Sequence, residues 1–219
     1  MAQHRSRARA ARRPLARPRP GVGDRRGRRG ARALRPHRLP SPPRPRERRF
    51  VLYGGRREGA KGWDQLVEGF AAAVRKEDLD LSLVTFGVGE VHVPADVADR
   101  VVDLGRIDDR DRDDAFAAAE AYVQPSALES FSRTVMEAWL AGTPVIANGA
   151  SAVVSWHCAR SGAGLTYDDD ASLEQCLRFV AEAPGEAAAL AAPGRDYVLE
   201  HYTWPATLDR MEASLEELP

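Results

Sequence analysis

A chain of 219 residues has room for one domain of ordinary size or two small ones. Its 32 basic and 32 acidic side chains cancel, but unevenly: residues 1–50 hold 18 basic residues and two acidic ones, Asp24 and Glu47, so +16 sits there and −16 on the remainder. The two cysteines, Cys158 and Cys176, form no C-x-x-C pair and have no histidine at metal spacing, and no apolar run reaches the length of a bilayer; a disulfide framework, a zinc site and a membrane span are all disfavoured.

Residues 1–49 are dominated by Arg, Pro, Ala and Gly, with almost no large apolar side chain. Such a segment cannot bury enough surface to offset the entropy of ordering it, and the expectation is a disordered tail. Three explanations stand side by side: a polybasic arm for nucleic acid or anionic lipid, a solvated linker, or a stretch that is mistranslated or truncated, since a GC-rich gene read out of frame gives this composition. No aromatic residue interleaves the arginines, which argues against nucleic acid. No apolar core follows Arg12-Arg13, which argues against export; the expected location is cytoplasmic, with peripheral membrane attachment compatible.

From Phe50 onward short apolar runs alternate with helical patterns, as βα units of a mostly parallel sheet require. Phe50–Tyr53 is predicted as a first strand closed by Gly54-Gly55, and Trp63, Leu66, Val67, Phe70, Ala73 and Val74 make one helical stripe. Strands follow at Leu81–Phe86 and Val101–Leu104, a helix over Arg110–Ala119, and a strand at Ala121–Val123 stopped by Pro125. The next helix is expected over Phe131–Ala141, with Gly142 as its left-handed stop and Pro144 opening the strand Val145–Ala147. Then come a helix near Val153–Arg160, a strand at Gly164–Tyr167, and helices over Ala171–Ala181, Glu186–Glu200 and a last one opened by Pro205. Residues 50–219 thus read as one Rossmann-like, doubly wound α/β domain, whose ligand belongs at the carboxyl ends of the strands.

Two stretches fall at that edge. Gly55-Arg56-Arg57-Glu58-Gly59-Ala60-Lys61-Gly62 lies between the first strand and first helix. Its glycines allow a tight turn, the helix start favours an anion, and Arg56 and Lys61 add charge-assisted donors for a phosphate. A glycine turn with solvated basic side chains is the bland alternative. The second stretch runs from Pro125 to Trp139. Glu129 precedes a helix start, where a carboxylate can simply complement the dipole. Glu137 sits among Val135, Met136, Ala138, Trp139 and Leu140 on a helix expected to be buried, so it needs a partner. Arg133, four residues earlier, is one; a ligand diol such as a ribose is another.

Taken together these stretches resemble the C-terminal domain of the retaining GT-B glycosyltransferases of family 4, the glycosyl transferases group 1. The G-R-x(4)-K-G loop is matched by Gly55-Arg56 and Lys61-Gly62, and the E-x(7)-E pair by Glu129 and Glu137. Ala141-Gly142-Thr143-Pro144-Val145 follows at the usual place, and Tyr202-Thr203-Trp204 resembles the family's aromatic-Ser/Thr-Trp before its last helix. The resemblance covers residues 50–218. It implies that a nucleotide diphosphate sugar is the donor substrate, with no cofactor and no metal. Arg56 and Lys61 would hold the diphosphate and stabilise the leaving group; Glu129 would face the sugar, and Glu137 the ribose. Gly55, Ser130, Phe131 and Ser132 would line the donor site, the last two through backbone amides.

Three departures accompany the resemblance. Ser132 replaces the glycine common after the phenylalanine, Ala152 stands where many relatives keep a glutamate, and residues 1–49 are not expected to supply the N-terminal acceptor domain of a GT-B enzyme. The expected function is retaining sugar transfer to an unknown acceptor (glycan, lipid or small molecule), with the chain inactive or slow alone. Rival readings are a GT-B-fold nucleotide-sugar epimerase and a non-catalytic anion-binding protein acting through the basic tail. His157, Trp139 and Trp156 read as packing residues, Asp108–Asp114 as the cap and solvated face of a helix, and Asp168–Asp170 as an N-cap region.

Overall fold

The computed structural model describes residues 49–77 and 79–216. The tail expected to be disordered therefore lies outside the described residues, apart from Arg49. That residue belongs to the fold: its guanidinium makes two bonds to Glu120 and two to the carbonyls of Val180 and Ala181.

Six strands form the sheet: β1 (Phe50–Arg56), β2 (Ser82–Val88), β3 (Val101–Asp103), β4 (Ala121–Gln124), β5 (Val145–Asn148) and β6 (Leu165–Tyr167). Among the described residues eight α-helices accompany them: α1 (Trp63–Glu77), α2 (Asp109–Ala118), α3 (Arg133–Ala141), α4 (Ala152–Ser161), α5 (Asp170–Glu182), α6 (Pro184–Ala189), α7 (Ala191–His201) and α8 (Trp204–Glu216). All neighbouring strands are parallel, in the order β3-β2-β1-β4-β5-β6. This is the Rossmann-like arrangement expected from the sequence.

Alternation along each strand divides the apolar side chains between two cores. Val51, Tyr53, Leu83, Val123 and Ile146 join Trp63, Leu66 and Phe70 of α1 and Leu173 and Leu177 of α5 on one face. Phe50, Leu52, Val84, Tyr122, Val145 and Ala147 join Phe116 of α2, Val135 and Trp139 of α3, Val154 of α4 and Tyr197 of α7 on the other. Both faces of a parallel sheet are covered in this way, which is why its strands read as continuous apolar runs. Fully buried Leu52, Leu66, Leu83 and Ile146 each contribute about 1.5–3 kcal/mol of hydrophobic stabilisation.

Several boundaries differ from expectation, each for a physical reason. β1 runs on through Gly54 and Gly55 to Arg56, because Gly54, Gly55 and Arg56 stay in register with Phe86, Gly87 and Val88. α3 begins at Arg133 rather than Phe131, because Ser132 is left-handed (φ 63°). The long helix expected over 186–200 is two helices, α6 and α7, that meet at Leu190. Pro193 has no amide to offer the Ala189 carbonyl, so the hydrogen-bond ladder breaks there. Other signals hold. Gly142 is the left-handed stop of α3 (φ 81°), and Asp169 caps α5 reciprocally with Ser172. Among the described residues, no helix is long and apolar enough to cross a membrane.

Candidate functional site

β1 and β4 are neighbours whose chains leave to opposite faces of the sheet, α1 to one core and α3 to the other. Where connections part like this, open α/β sheets leave a crevice beyond the strand ends. Both sequence-selected stretches are at this point.

The first loop, Arg56–Gly62, is tied down by groups that sequence reasoning passed over. The Tyr53 hydroxyl donates to the Arg56 carbonyl at 2.6 Å. Arg57, beside the motif arginine, is buried: it donates to Thr85 Oγ1 (3.3 Å), to the Gly89 carbonyl (2.9 Å) and to the Asp103 carboxylate, joining the ends of β1, β2 and β3. Arg56 itself is exposed and lies 3.5 Å from the Glu58 carboxylate. Lys61 ends a short 3-10 turn, and Gly62 follows at φ 72°. A Cβ on Gly62 would stand 2.4 Å from the Pro125 carbonyl oxygen, so this glycine is what lets the first loop touch the second.

The second loop starts at that carbonyl, which also accepts from Asn148 Nδ2 at 3.0 Å. The loop turns over an exposed Leu128 and brings Glu129 back to the first loop, where Lys61 Nζ donates to Glu129 Oε1 at 2.7 Å. The Glu129 side chain is only 13% exposed there. Ser130 is exposed, and Phe131 packs edge-on against Tyr202 and His157, with ring centroids 5.0 and 5.5 Å away. Ser132 precedes α3, and its Oγ accepts from Gln124 Nε2 at 2.6 Å. The buried Tyr122 hydroxyl lies 2.9 Å from Thr134 Oγ1 on α3 and 3.4 Å from the Gly54 carbonyl oxygen, so it links β1 to the start of α3. Burial pushes the Tyr122 phenol well above its ordinary range, and it remains a neutral donor.

Glu137 lies on α3, 30% exposed rather than sealed in the core. Its ion pair is with Arg112 of α2 (Nε to Oε2, 3.9 Å), not with Arg133, which is exposed. The Arg112 Nε is itself buried without a hydrogen-bond partner. Arg112 was hidden in the acidic run of α2, yet it lies four residues before the buried Phe116 and so on the same helix face. That spacing was the signal available. The rest of the run behaves as expected, with Asp108 accepting from the Asp111 amide and Asp109 and Asp113 beside Arg112.

Arg56, Lys61 and Glu129 thus lie on the segments that leave the carboxyl ends of β1 and β4, and Glu137 lies further along, within α3. Lys61 and Glu129 are in direct contact, while Arg56 and Glu137 sit in pairs of their own. His157 is a packing residue: it is buried, its Nδ1 lies 2.9 Å from the Tyr197 hydroxyl, and burial lowers its pKa. Trp139 is fully buried, but Trp156 is 51% exposed beneath the Arg160 guanidinium, so the packing expectation fails for Trp156.

A parallel sheet in this order, with a cation-bearing glycine turn and an acid-bearing helix after its central strands, defines a Rossmann-like domain. The sequence profile described as Glycosyl transferases group 1 matches residues 48–182, more than half of the chain, and the chain belongs to that family.

Among its relatives is a GDP-mannose-dependent monoacylated alpha-(1-6)-phosphatidylinositol monomannoside mannosyltransferase of Corynebacterium glutamicum. It is 25% identical over 171 residues, which cover 73% of this chain and 45% of that protein. The sucrose-phosphate synthase of Thermosynechococcus elongatus superposes with a TM-score of 0.65 at 24% identity, over 78% of this chain and 45% of that one. HepE of Anabaena, solved in complex with UDP-glucose, gives a TM-score of 0.65 at 18% identity, over 78% and 50%. These structural neighbours have the GT-B fold, and the chain spans about half the length of each of the three.

Proposed function

We propose that this chain is the donor-binding domain of a retaining glycosyltransferase that takes its sugar from a nucleotide diphosphate sugar. The observation that carries the reading is the 2.7 Å contact of Lys61 with Glu129, which joins the two motif loops at the switch point. Family membership supports it, as do a relative named for its dependence on GDP-mannose and a neighbour solved with UDP-glucose. The relatives are about twice as long as the matched segment, and we assign acceptor binding to a domain beyond residues 49–216.

In this reading Arg56 and Lys61 hold the diphosphate, with Gly55 giving it backbone access. As the bond from the anomeric carbon to the diphosphate oxygen breaks, negative charge grows on the departing phosphate. The two cations and the free amides at the start of α3 stabilise that charge where it develops. Lys61, drawn to phosphate, releases Glu129 to accept hydrogen bonds from the sugar hydroxyls. Ser130 and Phe131 shape the loop around the sugar, and Glu137 accepts from the two ribose hydroxyls while Arg112 balances its charge.

UDP, GDP and ADP are to be titrated calorimetrically into the full chain and into Glu137→Ala. The preferred nucleotide is expected to bind Glu137→Ala on the order of tenfold or more weakly, because a charged acceptor for two hydroxyls is gone. Equal affinity for the two proteins would remove the ribose assignment.

A further inference from the structure

Ser132 occupies a backbone position suited to glycine. Its φ of 63° and ψ of 75° lie in the left-handed region, and among the described residues it is the non-glycine residue with positive φ. Such a conformation costs a side-chain-bearing residue stability and persists where the surroundings fix it. A serine before a helix ordinarily turns its oxygen onto a first-turn amide. Ser132 does not: its side chain makes no capping bond to α3. The first amides of α3, including those of Arg133 and Thr134, have no partner within the helix.

The hydroxyl is held from the other side by Gln124, the last residue of β4. Gln124 Oε1 faces the Ser126 amide at 3.4 Å, which sets Nε2 toward Ser132 Oγ at 2.6 Å. Ser132 Oγ is therefore the acceptor in that bond. Its own hydrogen has no acceptor among the described residues. Both side chains are at least 94% buried, Ser132 at 6% and Gln124 at 5% exposure. A buried hydroxyl with an unused donor is unfavourable unless something else accepts from it.

We infer that the Ser132 hydroxyl is a donor-site ligand group: held by Gln124, it gives its hydrogen to a diphosphate oxygen lying across the start of α3. This contact is one that a glycine there cannot make. Gln124 is the positioning residue. The inference rests on the diphosphate site proposed above and adds a side-chain contact to the backbone amides already assigned there.

The test compares the wild-type chain with Ser132→Gly, Ser132→Ala and Lys61→Ala. Each is titrated with UDP, GDP and ADP, with thermal unfolding measured in parallel. Ser132→Gly and Ser132→Ala differ in backbone strain but both lack the hydroxyl. We expect the glycine variant to be the more stable of the two. Both should bind the preferred diphosphate on the order of tenfold more weakly than wild type, the effect of losing one hydrogen bond to a charged group. If affinity follows stability instead, with Ser132→Gly binding as tightly as wild type, the serine is structural and the inference is overturned. That outcome leaves the site reading intact if Lys61→Ala still weakens binding. If wild type binds none of the three nucleotides, or Lys61→Ala binds normally, the site reading falls and takes this inference with it.

Discussion

The ion pair between Lys61 and Glu129 is the joint on which the site turns, and its strength can be bounded. Lys61→Met keeps the aliphatic stem and removes the charge. The Glu129 carboxylate, 13% exposed, then loses its ion-pair partner, while the lysine it loses is itself 30% exposed. An exposed pair contributes about 0.2–1 kcal/mol, and breaking a fully buried one costs roughly 3–5 kcal/mol. With one partner mostly buried and the other partly wet, Lys61→Met is expected to cost about 1.5–2.5 kcal/mol. For a domain of this size that is on the order of 3–10 °C in melting temperature. Glu129→Gln removes the charge that needs a partner, so adding it to Lys61→Met should recover part of the loss, with a coupling energy of roughly 1–2 kcal/mol. Urea unfolding of the four proteins measures this directly. Additivity within about 0.3 kcal/mol would refute the reasoning, because it would mean the two loops do not meet through this pair.

Two further outcomes follow from the packing. Gly194 of α7 lies against the fully buried Trp139, where an added Cβ would stand 2.5 Å from the indole Cγ; Gly194→Ala should therefore cost about 1–3 kcal/mol in urea unfolding, and an unchanged midpoint would contradict the close approach of α3 and α7. Burial lowers the pKa of His157, so its stabilising contribution is complete above the unfolded value of about 6.5 and is lost as pH falls toward the folded value. Between pH 6.5 and 5, His157→Gln should lose stability less steeply than wild type, by at most about 1.4 kcal/mol per pH unit; parallel curves would show that His157 is not held neutral.

The sheet was legible because parallel strands buried on both faces are mostly apolar, and short runs such as Leu81–Phe86 (broken by Ser82 and Thr85) and Val145–Ala147, bounded by glycine or proline, fit that placement. Helix ends were legible where one residue carries the signal, as at Gly142 and Asp169. The continuation of β1 through two glycines was not, because it is imposed by pairing with β2 and not by local preference. The break at Leu190 was available in principle from Pro193, but the periodic apolar pattern across it read as one helix. In the site, Lys61 and Glu129 were visible through motif spacing. Arg57, Gln124 and Arg112 were not, because their importance lies in a partner from another element: Asp103, Ser132 and Glu137. The left-handed backbone of Ser132 was hidden for the opposite reason, since its residue type argues against that conformation.

Each charge assigned to the donor already faces an opposite one within the chain: Arg56 and Glu58 at 3.5 Å, Lys61 and Glu129 at 2.7 Å, Arg112 and Glu137 at 3.9 Å. On the proposed reading, a nucleotide diphosphate sugar therefore enters by exchange. Its phosphates take Arg56 and Lys61, its hydroxyls take Glu129 and Glu137, and Arg112 stays beside Glu137, so no carboxylate is left buried and alone. The three pairs are not equally ready to part. Arg56 and Glu58 are 60% and 49% exposed and hold each other weakly, so Arg56 can reach an incoming phosphate at little cost. Lys61 is bound to a mostly buried acid, so a phosphate draws it away in part and fully only when the sugar hydroxyls replace it. A nucleoside diphosphate without its sugar supplies no such replacement. It should therefore draw on Arg56 more than on Lys61, whereas the complete donor engages both.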